Sequence, residues 1–259
     1  MRSPIVGARL AHILDLLAED SWTNVYAGEL EVRPPGAPTS ETAIDRRVAI
    51  SNPRRLAVSP PVLSARQQRS ACNSSVLTTA RLRLRPWRDE DLEPFAALNA
   101  DPRVREFFPS LQTHQESAES MRYIDDHFRR HGFGLWAVEV IGHASFIGFV
   151  GLSVPSFDAP FMPCIELGYR LAFEHWGRGY ATEGARAALA CGFATLGLAD
   201  IVAMTAVGNV RSRRVMERVG MKYHAADDFD HPNIVAGHPL RRHVLYRLTA
   251  HDWAAALHE

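Results

Sequence analysis

Cys164-Ile165-Glu166-Leu167-Gly168-Tyr169-Arg170-Leu171-Ala172-Phe173-Glu174-His175-Trp176-Gly177-Arg178-Gly179-Tyr180-Ala181-Thr182-Glu183-Gly184 reads as a buried strand, a short loop with two glycines one residue apart, and the start of a helix. Glycine lacks a Cβ, so the backbone there can approach a ligand closely and take positive φ. The helix that follows opens with N–H groups that have no intrahelical partner and carries the positive end of its dipole. Together these make an anion cradle suited to a diphosphate or a phosphopantetheine arm. The stretch therefore points to an enzyme working on a phosphorylated carrier.

Taken alone, Gly177-x-Gly179 is a weak signal, because a tight strand-to-helix turn needs glycine with no ligand present. Neither the lysine-bearing phosphate loop nor the longer dinucleotide fingerprint occurs here, which argues against a kinase or a dehydrogenase. A second element, Thr205 to Met221, adds weight. Asn209 stands at the N-cap of a short helix, with Ser212 three residues on. Capping, worth roughly 1 kcal/mol, and a ligand contact are equally good readings of Asn209.

Outward from these motifs, the chain divides near residue 75. Arg33 to Ser75 is rich in Pro, Ser, Ala, Arg and Thr and keeps no helical or strand period, the mark of a mobile segment. Before it, Ile5 to Leu17 could form one amphipathic helix, marginal in isolation. Residues 1–75 are expected to be an N-terminal extension, disordered or arising from a misassigned start, with the biological start near Val76 or Leu77. Residues 76–250 form the catalytic domain and 251–259 a short tail. Within the domain, strands are expected at Leu82 to Trp87, Leu135 to Val140, Phe146 to Ser153, Cys164 to Ala172, Asp200 to Ala206 and Arg241 to Thr249. Helices are expected after Asp89, over Gln115 to Arg130, over Tyr180 to Leu196 and over Val210 to Val219. The fold class is α+β, an antiparallel meander that turns parallel around the glycine-loop helix.

The chain has 259 residues, an apolar fraction of 46% and a formal net charge of zero. There is no global basic field to recruit nucleic acid. All the basic residues but Lys222 are Arg, spread along the whole length. Three cysteines, Cys72, Cys164 and Cys191, have no paired spacing, which argues against a disulfide framework or a thiolate zinc site and fits a reducing cytoplasm. The longest uncharged run, Val140 to Phe157, is broken by Gly142, Gly148, Gly151 and Pro155, so no membrane span is expected.

Residues 78–250 resemble the GNAT-type N-acetyltransferases, and within them the branch of the ribosomal-protein alanine N-acetyltransferases. The resemblance rests on Thr79-Ala80-Arg81-Leu82-Arg83-Leu84-Arg85-Pro86-Trp87, Phe149-Val150-Gly151-Leu152, Glu166-Leu167-Gly168-Tyr169, Trp176-Gly177-Arg178-Gly179-Tyr180-Ala181-Thr182-Glu183, and Asn209 to Met221. It implies a mixed, mostly antiparallel central sheet with helices on both faces and a splayed acetyl-CoA groove. It also implies that Tyr169, Arg170 and Leu171 offer backbone to the pantetheine arm. Gly177, Arg178, Gly179, Tyr180 and Ala181 would hold the pyrophosphate through backbone N–H groups, helped by the Thr182 hydroxyl. Asn209 would contact the pantetheine, and Ser212 matches the position that protonates the leaving thiolate, where many members use Tyr. Glu174 departs from the family pattern of Gln or Arg, and a carboxylate there must point away from a pyrophosphate.

The implied reaction is attack of a primary amine, from a protein N-terminus or a small molecule, on the acetyl-CoA thioester. It needs a neutral amine and a proton for the departing sulfur. Glu166 is the first candidate for the base, against a purely structural carboxylate; Asp230 and His231 are the second. Phe107 to Glu116 and Asp227 to Pro239 are the expected acceptor loops. His224, His231, His238 and His243 do not match zinc spacings, so no metal is assigned. Acetyl-CoA and an amine are the expected partners, with no nucleic acid and no membrane, for a cytoplasmic monomer or homodimer. The alternative is a non-catalytic acyl-CoA sensor.

Overall fold

The alternation of apolar residues in the first half of the domain builds a meander of antiparallel strands. Its members are β1 (Leu77–Thr78), β2 (Leu82–Arg85), β3 (Leu135–Val140), β4 (Ala144–Ser153) and β5 (Glu166–Leu171), each paired with the next. The structure is a computed structural model and describes residues 76–257; the expected extension over residues 1–75, with its short helix, lies outside the described residues. A second antiparallel set follows: β6 (Asp200–Ala206) pairs with β9 (Arg242–Thr249), and β7 (Lys222–Tyr223) and β8 (Phe229–Asp230) both pair with β9.

The two sets are joined by very little. β5 and β6 run parallel and share the single register pair Glu166↔Val202, reinforced by the Val202 N–H donating to the Ile165 carbonyl at 2.9 Å. By contrast, β5 stays paired to β4 from Ser153↔Glu166 through Gly148↔Leu171. Beyond Glu166, β5 and β6 part. The sheet is therefore open and splayed along one line, and the β5 edge facing that line is free of a strand partner. This is the mixed, mostly antiparallel α+β sheet that the sequence implied.

Among the described residues, five α-helices complete the fold: α1 (Leu92–Ala100), α2 (His114–His131), α3 (Tyr180–Ala190), α4 (Val210–Arg218) and α5 (Ala250–Ala256). Successive residues of a strand face opposite sides of a sheet. Phe149 meets Phe95 of α1, with ring centroids 6.1 Å apart. Its neighbour Val150 lies under Gly184 of α3. Helices thus cover both faces. Phe95, Phe149, Trp136, Leu82 and Leu84 are fully buried between them, each contributing on the order of 1.5–3 kcal/mol on transfer from water.

Most element ends lie within a residue or two of the sequence reading, and the largest difference is in α3. The helix expected to run to Leu196 is α-helical only to Ala190 and widens into a π-turn over Cys191–Thr195. There Gly192 packs so closely on Ile201 that a Cβ would lie 2.7 Å from Cδ1. The stretch expected as a short C-terminal tail, residues 251–259, carries α5, capped by Thr249 and docked through Trp253 on Phe193 with ring centroids 5.7 Å apart.

Candidate active site

The glycine loop and the start of α3 form one continuous piece of backbone. Gly177 and Gly179 have φ of 72° and 80°, a region that costs non-glycine residues. A Cβ placed on Gly177 would meet nothing within 4 Å, so the loop leaves open space beside its backbone. The N–H groups of Tyr180, Ala181 and Thr182 lie in the first turn of α3 and lack helical acceptors. Neighbours fix the loop from outside. Trp176 Nε1 donates to the Leu171 carbonyl at 2.7 Å. Arg81 donates to Glu183 through its backbone N at 3.0 Å and its Nε at 2.7 Å, and through Nη1 to the Arg178 carbonyl at 3.0 Å. The geometry of a glycine-lined backbone facing open space fits a diphosphate.

A cavity of about 410 Å³ runs through the split in the sheet. Of the residues singled out from sequence, Glu166, Tyr169, Arg170, Leu171, Gly177, Gly179, Tyr180, Ala181, Thr182, Asn209, Ser212 and His231 line it, and Arg178 does not. Asp230, the companion of His231 as an expected second base, turns instead to Arg242 at 3.3 Å. Glu174 is exposed and absent from the cavity wall, its charge acting on Arg103. That satisfies the requirement that it point away.

Strand alternation sorts the wall into two faces. Arg170 pairs with Phe149 in register and shares the α1 side with Gly168 and Glu166; Tyr169 pairs with Val150 and shares the α3 side. On β9, Tyr246 reaches Glu217 of α4 at 2.9 Å, which places His243 and its register partner Ala206 on the α1 side. One face therefore carries the glycine loop, Tyr169, Asn209 and Ser212. The other carries Glu166, Arg170, His243 and the rings near them.

The second face is dominated by burial. Glu166 is 5% exposed, and desolvation pushes its carboxyl up to about 8. Desolvation, with His243 as the lesser cause, pulls His231 down to about 4, and His243 is lowered by the same loss of water. Both imidazoles are neutral at neutral pH. His243 Nδ1 is 3.1 Å from the Arg241 carbonyl and donates to it, which leaves Nε2 as an acceptor; His231 Nδ1 accepts from Asn233 N–H at 3.3 Å, which leaves Nε2–H as a donor. The two rings are 5.0 Å apart, and Phe157 lies 4.7 Å from His231. Arg170 donates to Asn99 Oδ1 at 2.7 Å and lies over the Phe108 ring at 4.2 Å.

On the first face, Asn209 Oδ1 accepts the Ser212 N–H at 3.2 Å and Nδ2 donates to Thr205 Oγ1 at 2.9 Å, so its side chain caps α4. Sequence reasoning covered Phe108 only as part of the expected acceptor loop Phe107 to Glu116, missed Phe157 and the Tyr169 side chain, and treated His243 only as a metal candidate. His243 sits in a strand whose alternation was legible, and the resemblance implied a splayed groove, but no local pattern placed His243 beside the split. Among the described residues no group of three or more His, Cys, Asp or Glu side chains is placed to hold a metal, and no helix is long and apolar enough to cross a membrane.

Comparison with known proteins gives a consistent picture. Residues 81–222 match the family described as Acetyltransferase (GNAT) domain. The FsC-acetyl coenzyme A-N(2)-transacetylase of Aspergillus fumigatus is 31% identical over 188 residues, covering 68% of this chain and 77% of that protein. The uncharacterized protein YkkB of Bacillus subtilis is 33% identical over 148 residues, covering 57% of this chain and 85% of that protein. Among solved structures, RimJ of Mycobacterium smegmatis in complex with CoA-disulfide shares the fold, with a TM-score of 0.52 at 21% identity over 68% of this chain and 88% of that one.

Proposed function

Because the chain belongs to the acetyltransferase (GNAT) family, we propose that it moves an acetyl group from acetyl-CoA to a primary amine by direct attack on the thioester. The backbone of Gly177 to Thr182 receives the pyrophosphate at the N-terminus of α3. The free edge of β5 at Tyr169 to Leu171 receives the amides of the pantetheine arm, as an added strand would. The amine enters from the α1 side, where Glu166 takes its proton directly or through water. Ser212, on the α3 side, gives a proton to the sulfur as it leaves.

One observation carries this reading: a single strand, at the one line where the sheet is split, bears Glu166 on one face and Tyr169, beside Ser212, on the other. Base and acid are thereby kept on opposite sides of the acyl carbon. A carboxyl tuned toward neutrality by burial is well matched to accept a proton from an ammonium near neutral pH. Two neutral imidazoles beside it add no positive charge to repel that ammonium. The family context leaves the acceptor as a protein N-terminus or a small-molecule amine. The Aspergillus relative is named as an acetyl coenzyme A-N(2)-transacetylase, which lends weight to acetyl-CoA as donor and to a nitrogen as acceptor.

The test is calorimetric titration with acetyl-CoA, followed by thiol release in the presence of amines and peptide N-termini. Binding with thiol release for one acceptor class is the expected result. Binding without release for any amine would make the protein an acyl-CoA sensor, and no binding would overturn the donor assignment.

A further inference from the structure

Where β5 meets α4, two hydroxyls share their protons. The Tyr169 hydroxyl lies 2.9 Å from the Ser212 carbonyl oxygen and 2.9 Å from Ser212 Oγ. A phenol has one proton to give. With that proton on the carbonyl, the contact to Oγ is made by the serine's own proton, so the Ser212 O–H points at the phenol. In this state Ser212 shows the cavity only lone pairs and cannot protonate a sulfur.

We propose that Tyr169 is the positioning residue for thiol departure, its O–H switching from the carbonyl of Ser212 to Oγ and thereby turning the Ser212 proton into the cavity. The inference rests on the acetyl-transfer reading given above. The protons balance as follows. The C–S bond breaks with its electron pair on sulfur, the Ser212 Oγ–H proton passes to that sulfur, and Oγ takes the Tyr169 proton. The amine nitrogen gives its proton to Glu166, and a solvent proton from the cleft reaches the phenol oxygen in the same step, so no phenolate is left in the buried site. Both residues line the cavity, although they stand on different elements 43 positions apart. Burial, the largest cause, drives the Tyr169 hydroxyl well above the ordinary phenol range. It is therefore a filled donor throughout the working pH range, and no free phenolate accumulates between turnovers. Cooperative hydrogen bonding makes the Ser212 O–H a better donor once it accepts from the phenol.

Tyr169→Phe keeps the ring and removes the one O–H. The expected result is a fall of about tenfold in kcat, the rate equivalent of roughly one net hydrogen bond, with the acetyl-CoA Kd measured by calorimetry changed less than about twofold. In a Ser212→Ala background the same change should cost nothing further, because Tyr169 acts through that hydroxyl. An unchanged kcat in Tyr169→Phe would overturn the proposal and leave the acetyl-transfer reading standing. A loss that persists in the Ser212→Ala background, or that appears equally in acetyl-CoA binding, would make Tyr169 a packing residue and overturn it as well. If the unmodified protein releases no thiol with any amine, the acetyl-transfer reading fails, and this proposal with it.

Discussion

The two faces of the split sheet are made of different material. The α3 face is built from backbone: two glycines at positive φ, the open first turn of α3, and small hydroxyls at the start of α4. The α1 face is built from buried side chains, Glu166, Arg170, His231 and His243, with rings from Phe108 and Phe157 around them. The first face suits a donor whose diphosphate and amides are the same in every turnover, because N–H groups and helix ends recognise those chemically constant parts. The second face suits chemistry and selection, because burial shifts its acid–base groups and the rings shape what can enter. On the proposed reading, changes to the glycine-loop backbone should show in donor affinity, whereas changes to Glu166 or to the Tyr169 and Ser212 hydroxyls should show in turnover.

The largest separation is expected from Glu166→Gln. It should lower kcat about 100-fold or more, within the range of lost general-base catalysis, while acetyl-CoA binds as before. With the carboxyl at about 8, only the ionised form accepts a proton, so the rate rises as pH climbs through about 8. The variant should lack that rise when both proteins are assayed with the same amine. Equal pH profiles would place the base elsewhere. Ser212→Ala comes next, with a roughly tenfold to 100-fold loss of turnover and a nearly unchanged Kd. A Kd that worsens in step with the rate would reduce Ser212 to a cofactor contact. The converse change is Gly179→Val. With φ at 80°, a β-branched residue is strained by on the order of 1–3 kcal/mol, and its side chain obstructs the backbone. Acetyl-CoA affinity should fall about tenfold, with kcat at saturation largely kept. A variant that binds acetyl-CoA normally would sink the cradle assignment.

The same contrast explains what could be read before folding. The α3 face is local in sequence, since Gly177 to Thr182 is one loop with the first residues of α3 and Asn209 to Ser212 is the cap and first turn of α4. Motif spacing therefore found them, along with most strands and the mixed sheet. The Glu166 position was legible because it begins the strand that carries the motif. Its burial was not, since nothing local says that β5 and β6 meet only at Glu166↔Val202 and then diverge. Phe157, His231 and His243 converge from separate segments, and each alone resembles an ordinary core ring or loop histidine. Tyr169 was read as backbone because its partner, Ser212, reaches it only through the packing of α4 on β5. The Asn209 cap was legible as one of two readings, and its hydrogen bond to the Ser212 N–H shows that the cap is made.

Glu166 also ties the second face to stability, and there the expected effect is smallest. Its carboxyl is raised in the folded state to about 8 from the ordinary 4.5, so the fold favours the protonated form. The sign follows from proton linkage: the folded protein binds more protons than the unfolded chain between those values, so stability falls as pH rises. The stability that the neutral carboxyl confers is complete below about 4.5 and is lost progressively up to about 8. Glutamine has the shape of that neutral carboxyl and no charge to bury. Glu166→Gln should therefore be close to the unmodified protein in Tm at pH 5 and more stable at pH 9, by a few degrees if about 1 kcal/mol is regained. The gain should appear in the same variant that loses turnover, which is what a charge held in a poor environment for catalysis requires. A Tm difference that is the same at both pH values would mean that the Glu166 carboxyl is solvated in the cavity, and the raised basicity that suits it to an ammonium proton would have to be abandoned.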